Sequence, residues 1–167
     1  MNDNDNFYSR VPLRLIYISL LLAMLFDFIP FSGSLFYWLP EFSALMLYYW
    51  LINRPQNVDV GTAFLIGLLV DIGTAAPLGQ HALAYILSAH VIIRYRRQIV
   101  LYNYGAQAVM VAGALMVAEI VLVLVRLRFD NRFSGWFTFI SPFIGAFLWP
   151  LINKIMVSIL NFRQLRR

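Results

Sequence analysis

The chain has 167 residues, 61% hydrophobic and 13% charged, with a mean hydropathy of +0.72 and a formal net charge of +5. A chain this apolar lacks the polar surface that a soluble domain of its size needs, which leaves a polytopic α-helical membrane protein. It has no cysteine, so disulfides, zinc thiolate sites and thiol catalysis are excluded. Its positive residues sit between apolar runs, where topology and anionic lipid account for them without nucleic acid.

A spanning helix needs about 20 apolar residues. Six such spans with short loops make residues 1–167 a single all-α membrane domain. Residues 1–10 read as a polar, disordered cytoplasmic tail. The first span is predicted at about 12–29, stopped by Pro30. A cleavable secretory signal, cut at Ser32-Gly33-Ser34, is the rival reading; the near-full span length argues against it. Ser19 and Ala23 lie four apart on one face, either a partner-helix packing face or the ordinary small-residue content of such helices. The second span, about 36–52, carries Trp and Tyr at both ends as aromatic belts, with Pro40 and Glu41 near its start.

The third span, about 58–75, has Asp59 in its first turn, where a carboxylate complements the helix dipole. Thr74–Gly79 turns the chain. The fourth, about 80–93, is short unless it continues through Arg94, Arg96 and Arg97. The fifth, about 105–125, is rich in small residues, among them Ala108, Ala112 and Gly113, and suits close helix packing. The sixth, about 136–160, contains Pro142 and Pro150, which predict kinks.

With both termini in the cytoplasm, Arg10, Arg14, Arg54, Arg94, Arg96, Arg97, Arg163, Arg166 and Arg167 all fall inside, and Lys154 can snorkel to the same side. Arg126, Arg128 and Arg132 fall outside, with Asp130. They form either a contact for an acidic partner or lipid headgroup, or a tolerated exception to the charge rule.

This topology places Asp27, Glu41, Asp71, His81 and Glu119 in the outer half of the bundle. Asp27 and Glu41 are expected at solvated helix ends and His81 at the interface. Asp71 and Glu119 lie deeper, and an intramembrane acid is a functional-site hypothesis by default. A proton relay, a ligand contact and a structural hydrogen bond between helices all remain open for them. Asp71 lies in the hairpin Asp59–His90 and must face protein or water, so the bundle is expected to be arranged around it. His90 is expected to pack or cap, and two separate histidines do not make a metal site. No Gly-rich phosphate loop, GxSxG or HExxH is present, so neither an enzyme nor a cofactor is expected.

Several runs carry a family resemblance: Asn57-Val58-Asp59-Val60-Gly61-Thr62, Gly67-Leu68-Leu69-Val70-Asp71, and Pro77-Leu78-Gly79 with Ala82-Leu83-Ala84. With Leu47-Tyr48-Tyr49-Trp50 and Leu148-Trp149-Pro150, they resemble the signature of the rod shape-determining protein MreD family. The likeness covers essentially the whole chain, and the G-x-x-x-D…L-G-x-x-A-L hairpin, with Gly67, Asp71, Pro77 and Gly79, carries most of its specificity. It implies a non-catalytic scaffold in the bacterial inner membrane, within the elongation (rod) complex that directs lateral peptidoglycan synthesis. The implied partners are MreC, MreB, a SEDS-type glycosyltransferase, a class B penicillin-binding protein and membrane lipid. The family is also similar to the substrate-binding subunits of energy-coupling-factor vitamin transporters, so a small-molecule-binding transporter subunit is the alternative.

Overall fold

The computed structural model describes residues 11–29, 39–129 and 135–164, with side chains to residue 161. The turn expected at Pro30–Ser34, the first residues of the second span, Asp130, Arg132, the N-terminal tail, and Arg166 and Arg167 lie outside the described residues. The described residues form six α-helices and no strand. These are α1 (Leu13–Asp27), α2 (Phe42–Asn53), α3 (Val60–Gly73), α4 (Gln80–Ile99), α5 (Tyr104–Phe129) and α6 (Ser141–Gln164), the last preceded by a 3₁₀ turn at Trp136–Ile140.

α1 packs on α2, α3 on α4, α4 on α5 and α5 on α6, and α2 also lies against α4, α5 and α6. α2 is the central helix: from Ser43 to Ile52 every residue but Met46 is buried. The usual arrangement of a soluble fold is inverted. Asp71, Ser43 and Ser88 are fully buried, whereas Leu22, Leu65, Val109 and Phe147 point outward, Phe147 with 85% of its surface free. Apolar area of that extent needs an apolar solvent, and polar groups in such a solvent turn inward. By length and composition, α5 and the stretch Trp136–Asn161 can each cross a membrane.

Element ends follow local chemistry. α3 opens on a capping box. The Asp59 carboxylate accepts the Thr62 N–H at 2.9 Å, and the Thr62 hydroxyl accepts the Asp59 N–H at 3.4 Å. Of the two courses open to it, α4 takes the longer and runs through Arg94, Arg96 and Arg97 to Ile99, where Arg96 has a partner. Its Nε donates to the Ile52 carbonyl at 2.7 Å, satisfying an orphan acceptor at the end of α2.

Three expectations are corrected. α2 begins at Phe42, and Leu39 and Pro40 ahead of it are not helical. With 12 residues, α2 is only about 18 Å long. Pro142 does not kink a helix: it is the second residue of α6, where its missing N–H removes no helical bond, and only Pro150 is internal. His90 neither packs nor caps but lies exposed on α4.

Gly67 is where α3 and α4 come closest. A Cβ there would lie 2.5 Å from the Ala82 Cα and 2.6 Å from its backbone nitrogen. Because backbone cannot yield as a side chain does, Gly67→Ala is expected to cost about 1–3 kcal/mol through overpacking. A fall in the thermal midpoint of the purified protein checks this.

Candidate functional site

Asp71 sits in the last turn of α3, where the helix dipole disfavours a carboxylate. The side chain avoids that field by reaching across the Thr74–Gly79 turn to the start of α4. One oxygen accepts the Gly79 N–H at 2.8 Å, and the other accepts the His81 N–H at 2.9 Å. These are donors that the first turn of α4 leaves unpaired, so Asp71 caps the next helix from the preceding one. Gly79 holds φ = 94°, a left-handed conformation that any side chain would strain, and this lets its N–H point back at Asp71.

The same device closes the first hairpin. Asp27 ends α1, and its two oxygens accept the N–H groups of Phe42 and Ser43, each at 2.8 Å, at the start of α2. Glu41 occupies the N-cap position of α2 but makes no capping bond with its side chain. Its carboxylate is thereby free for another partner.

That partner is His81. Its Nδ1 lies 2.7 Å from Asp71 Oδ1, and its Nε2 lies 3.3 Å from Glu41 Oε1. The imidazole therefore joins the start of α2 to the end of α3 from its own place on α4. One turn further along α4, the Tyr85 hydroxyl is 2.7 Å from Ser43 Oγ, with both residues fully buried. The rings of His81 and Tyr85 meet edge to face, centroids 6.1 Å apart. Two Asp-capped hairpins are thus pinned together by His81–Glu41 and Tyr85–Ser43.

Above this network lies a cavity of about 420 Å³. Its polar lining includes Asp27, Glu41, Gln80, His81, Glu119 and Arg126, and its apolar walls include Phe26, Phe42 and Pro77. Ser141, which opens α6, also faces it, and its hydroxyl donates to the Leu39 carbonyl at 3.2 Å. Among the described residues, no three carboxylate or imidazole groups converge closely enough to hold a metal ion.

A family model described as rod shape-determining protein MreD matches residues 9–159. The chain belongs to the MreD family. One relative, the rod shape-determining protein MreD of Haemophilus influenzae, is 29% identical over 122 residues, covering 72% of this chain and 74% of the relative. No solved structure matches. Membership assigns the chain to rod shape determination in the membrane of a bacterial cell. Within the MreD signature, Gly67 is the site of close helix approach, Asp71 the cap, and Gly79 the left-handed donor. Pro77 accepts the Gln80 N–H at 3.1 Å, completing the turn.

Other residues singled out from the sequence are placed as follows. Glu119 is half-buried on α5 and lines the cavity. Ser19 and Ala23 turn toward the chain's own interior: Ala23 is buried, and Ser19 Oγ accepts the Trp50 indole N–H at 2.7 Å. On α5, Ala108 and Ala112 are half-buried, while Gly113 is exposed with open space beside it.

Three expectations at the site are revised. His81 is buried rather than interfacial, because both ring nitrogens face carboxylates. Asp27 and Glu41 are not solvated helix ends: one caps α2, and the other pairs with His81. The roles of Tyr85, Ser43 and Gln80 had no sequence signal beyond the four-residue spacing that sets His81 and Tyr85 on one face of α4.

Proposed function

We propose that this chain is a non-catalytic scaffold of the rod complex, crossing the inner membrane six times with both termini in the cytoplasm. It holds MreC and, in the same assembly, MreB, a SEDS-type glycosyltransferase and a class B penicillin-binding protein, and so supports lateral peptidoglycan synthesis. The observation that carries this reading is the polar pin of Glu41, His81 and Asp71, which fixes two hairpins against each other at one end of the bundle. On the orientation favoured by the arginines, that end faces outward, toward the wall. A buried, mutually satisfied network suits a frame that must keep one shape while partners dock on its outside.

The partner-facing surface is apolar and exposed. On α1 it includes Tyr17, Leu21 and Leu25; on α5 it includes Val109 beside Gly113. Gly113 provides the cleaner test, because a Cβ there meets nothing within 4 Å. Gly113→Leu is expected to leave the fold intact and to lower co-purification of the MreC partner from mild detergent. Unchanged recovery at equal expression removes this face from the interface.

The cavity supports a second reading, a ligand-binding transporter subunit. A stoichiometric metabolite in the purified protein, without wall-synthesis partners, would select it.

A further inference from the structure

We propose that the α3–α4 hairpin holds the bilayer about 10 Å thinner at its own face than at α5 and α6, so that phospholipid headgroups descend to the Thr74–Gly79 turn. The proposal rests on the spanning reading of the chain, but not on its partners or on which end faces the wall.

The first observation is a spacing. The pin end of the bundle is one layer: Asp27 caps α2, Glu41 pairs with His81, His81 with Asp71, and Ser141 donates to the Leu39 carbonyl. Thirteen positions from members of that layer lie three exposed basic residues: Arg14 from Asp27 on α1, Arg94 from His81 on α4, and Lys154 from Ser141 on α6. α3 repeats the spacing to within one residue, from Asp71 back to the exposed Asp59 of its capping box. Such a spacing is about 20 Å along an α-helix, whereas the hydrocarbon core is about 30 Å thick. The three cations share one level, that of the headgroups opposite the pin, so the shortfall falls on the pin side.

The second observation is that one side of the bundle makes up the shortfall and the other does not. α5 continues past Glu119 for about 15 Å to Phe129, exposing Ile120 and Leu124 on the way. Trp136 and Phe137 are exposed ahead of Ser141. α3 instead ends at Gly73, and the chain turns back through exposed Thr74, Ala75 and Leu78. An irregular turn facing lipid is not tolerated in hydrocarbon, because its backbone groups find no partner there. Compressing the neighbouring lipid costs less than burying such groups. The outer stripe of α4 agrees: Leu83 and Leu87 give way to exposed His90, Arg94 and Arg97, so apolar surface runs short there too.

The chain has no cysteine, so single cysteines can be placed freely. Glu119 lines the cavity beside His81, so Ile72 and Ile120, each one residue past a carboxylate, sit at one level; both are exposed. Ile72→Cys and Ile120→Cys are labelled with bimane in the purified full chain and reconstituted in dioleoylphosphatidylcholine vesicles. Quenching is then compared between lipid carrying a nitroxide on the headgroup and lipid carrying it midway along the acyl chain. The label at position 72 is expected at the headgroup boundary, quenched chiefly by the headgroup nitroxide. The label at position 120 is expected about 10 Å deeper, quenched chiefly by the chain nitroxide. Equal depths overturn the proposal. Weak quenching at position 72 by both lipids also overturns it, because water or protein would then occupy the place assigned to headgroups. A third label, on Phe147→Cys midway between Ser141 and Lys154, tests the spanning reading itself. If the chain nitroxide does not quench that label, spanning fails and the proposal falls with it; if it does, the comparison of positions 72 and 120 decides.

Discussion

Asp71→Ala is expected to abolish rod shape and to lower the stability of the chain more than any other single side-chain truncation. The carboxylate is fully buried and accepts the Gly79 N–H, the His81 N–H and the hydrogen bond of the His81 ring. Alanine leaves all three groups without that acceptor. Each unsatisfied buried group costs about 1–3 kcal/mol. Their sum is comparable with the 5–15 kcal/mol that holds a typical domain together. The start of α4 would lose its cap and His81 its anchor, so the pin between the hairpins would open. Asp71→Asn retains the size and one acceptor oxygen and is expected to be milder. The thermal midpoint in detergent and cell outline by microscopy check both. Normal rods with Asp71→Ala at normal protein level would refute the role given to this residue.

His81→Leu is the second large effect. Leucine fills much of the ring's volume but removes the one group facing both Glu41 and Asp71. Breaking a fully buried ionic pair by deleting one partner costs about 3–5 kcal/mol, because the remaining charge keeps its desolvation penalty; the loss here falls below that range because the Glu41 side chain is 26% exposed. Asp71 retains its two backbone donors, whereas Glu41 loses the imidazole and keeps only Tyr85 and the more distant Arg126, so most of the damage should fall on Glu41. Glu41→Gln in the His81→Leu background is therefore expected to recover stability. The double-mutant cycle should give a coupling of about 0.5–3 kcal/mol. Strict additivity of the two changes would mean that the Glu41–His81 contact contributes nothing to the frame.

These two expectations differ in how readily the sequence shows them. Asp71 is legible because a carboxylate inside an apolar run must turn inward, and because Pro77-Leu78-Gly79 marks the turn that brings α4 within reach. Gly67 and Gly79 are legible through the family signature, and the structure supplies their reasons: a close helix contact and a left-handed donor. The number of helices follows from the spacing of the apolar runs. What stayed hidden depends on distant elements. His81 looks interfacial beside its turn, and only the placement of α2, forty residues earlier in the chain, shows that a second carboxylate awaits it. Asp27 reads as a solvated helix end until the start of α2 is seen folded onto it. α4 outruns its apolar segment because Arg96 finds a carbonyl on α2, a contact that no local pattern encodes. Ser19 and Ala23 show the converse. Ser19 bonds to Trp50 of the chain's own α2 and Ala23 is buried, so this face turns inward, which their spacing alone does not tell.

The pairing of two Asp-capped hairpins also explains why polar residues cluster at one end of an apolar bundle. The starts of α2 and α4, like those of any helix, present unpaired backbone N–H groups that need acceptors. Asp27 and Asp71 supply acceptors at the starts of α2 and α4 without solvent, and Glu41 and His81 then meet between them.

The most direct test is affinity purification of the tagged chain from mild detergent, comparing wild type with Asp71→Ala at equal expression and identifying co-purified proteins by mass spectrometry. Wild type should recover MreC and wall synthases, and Asp71→Ala should lose them along with rod shape. Undiminished recovery of those partners by Asp71→Ala would contradict the claim that the carboxylate-pinned hairpins form the frame of the complex.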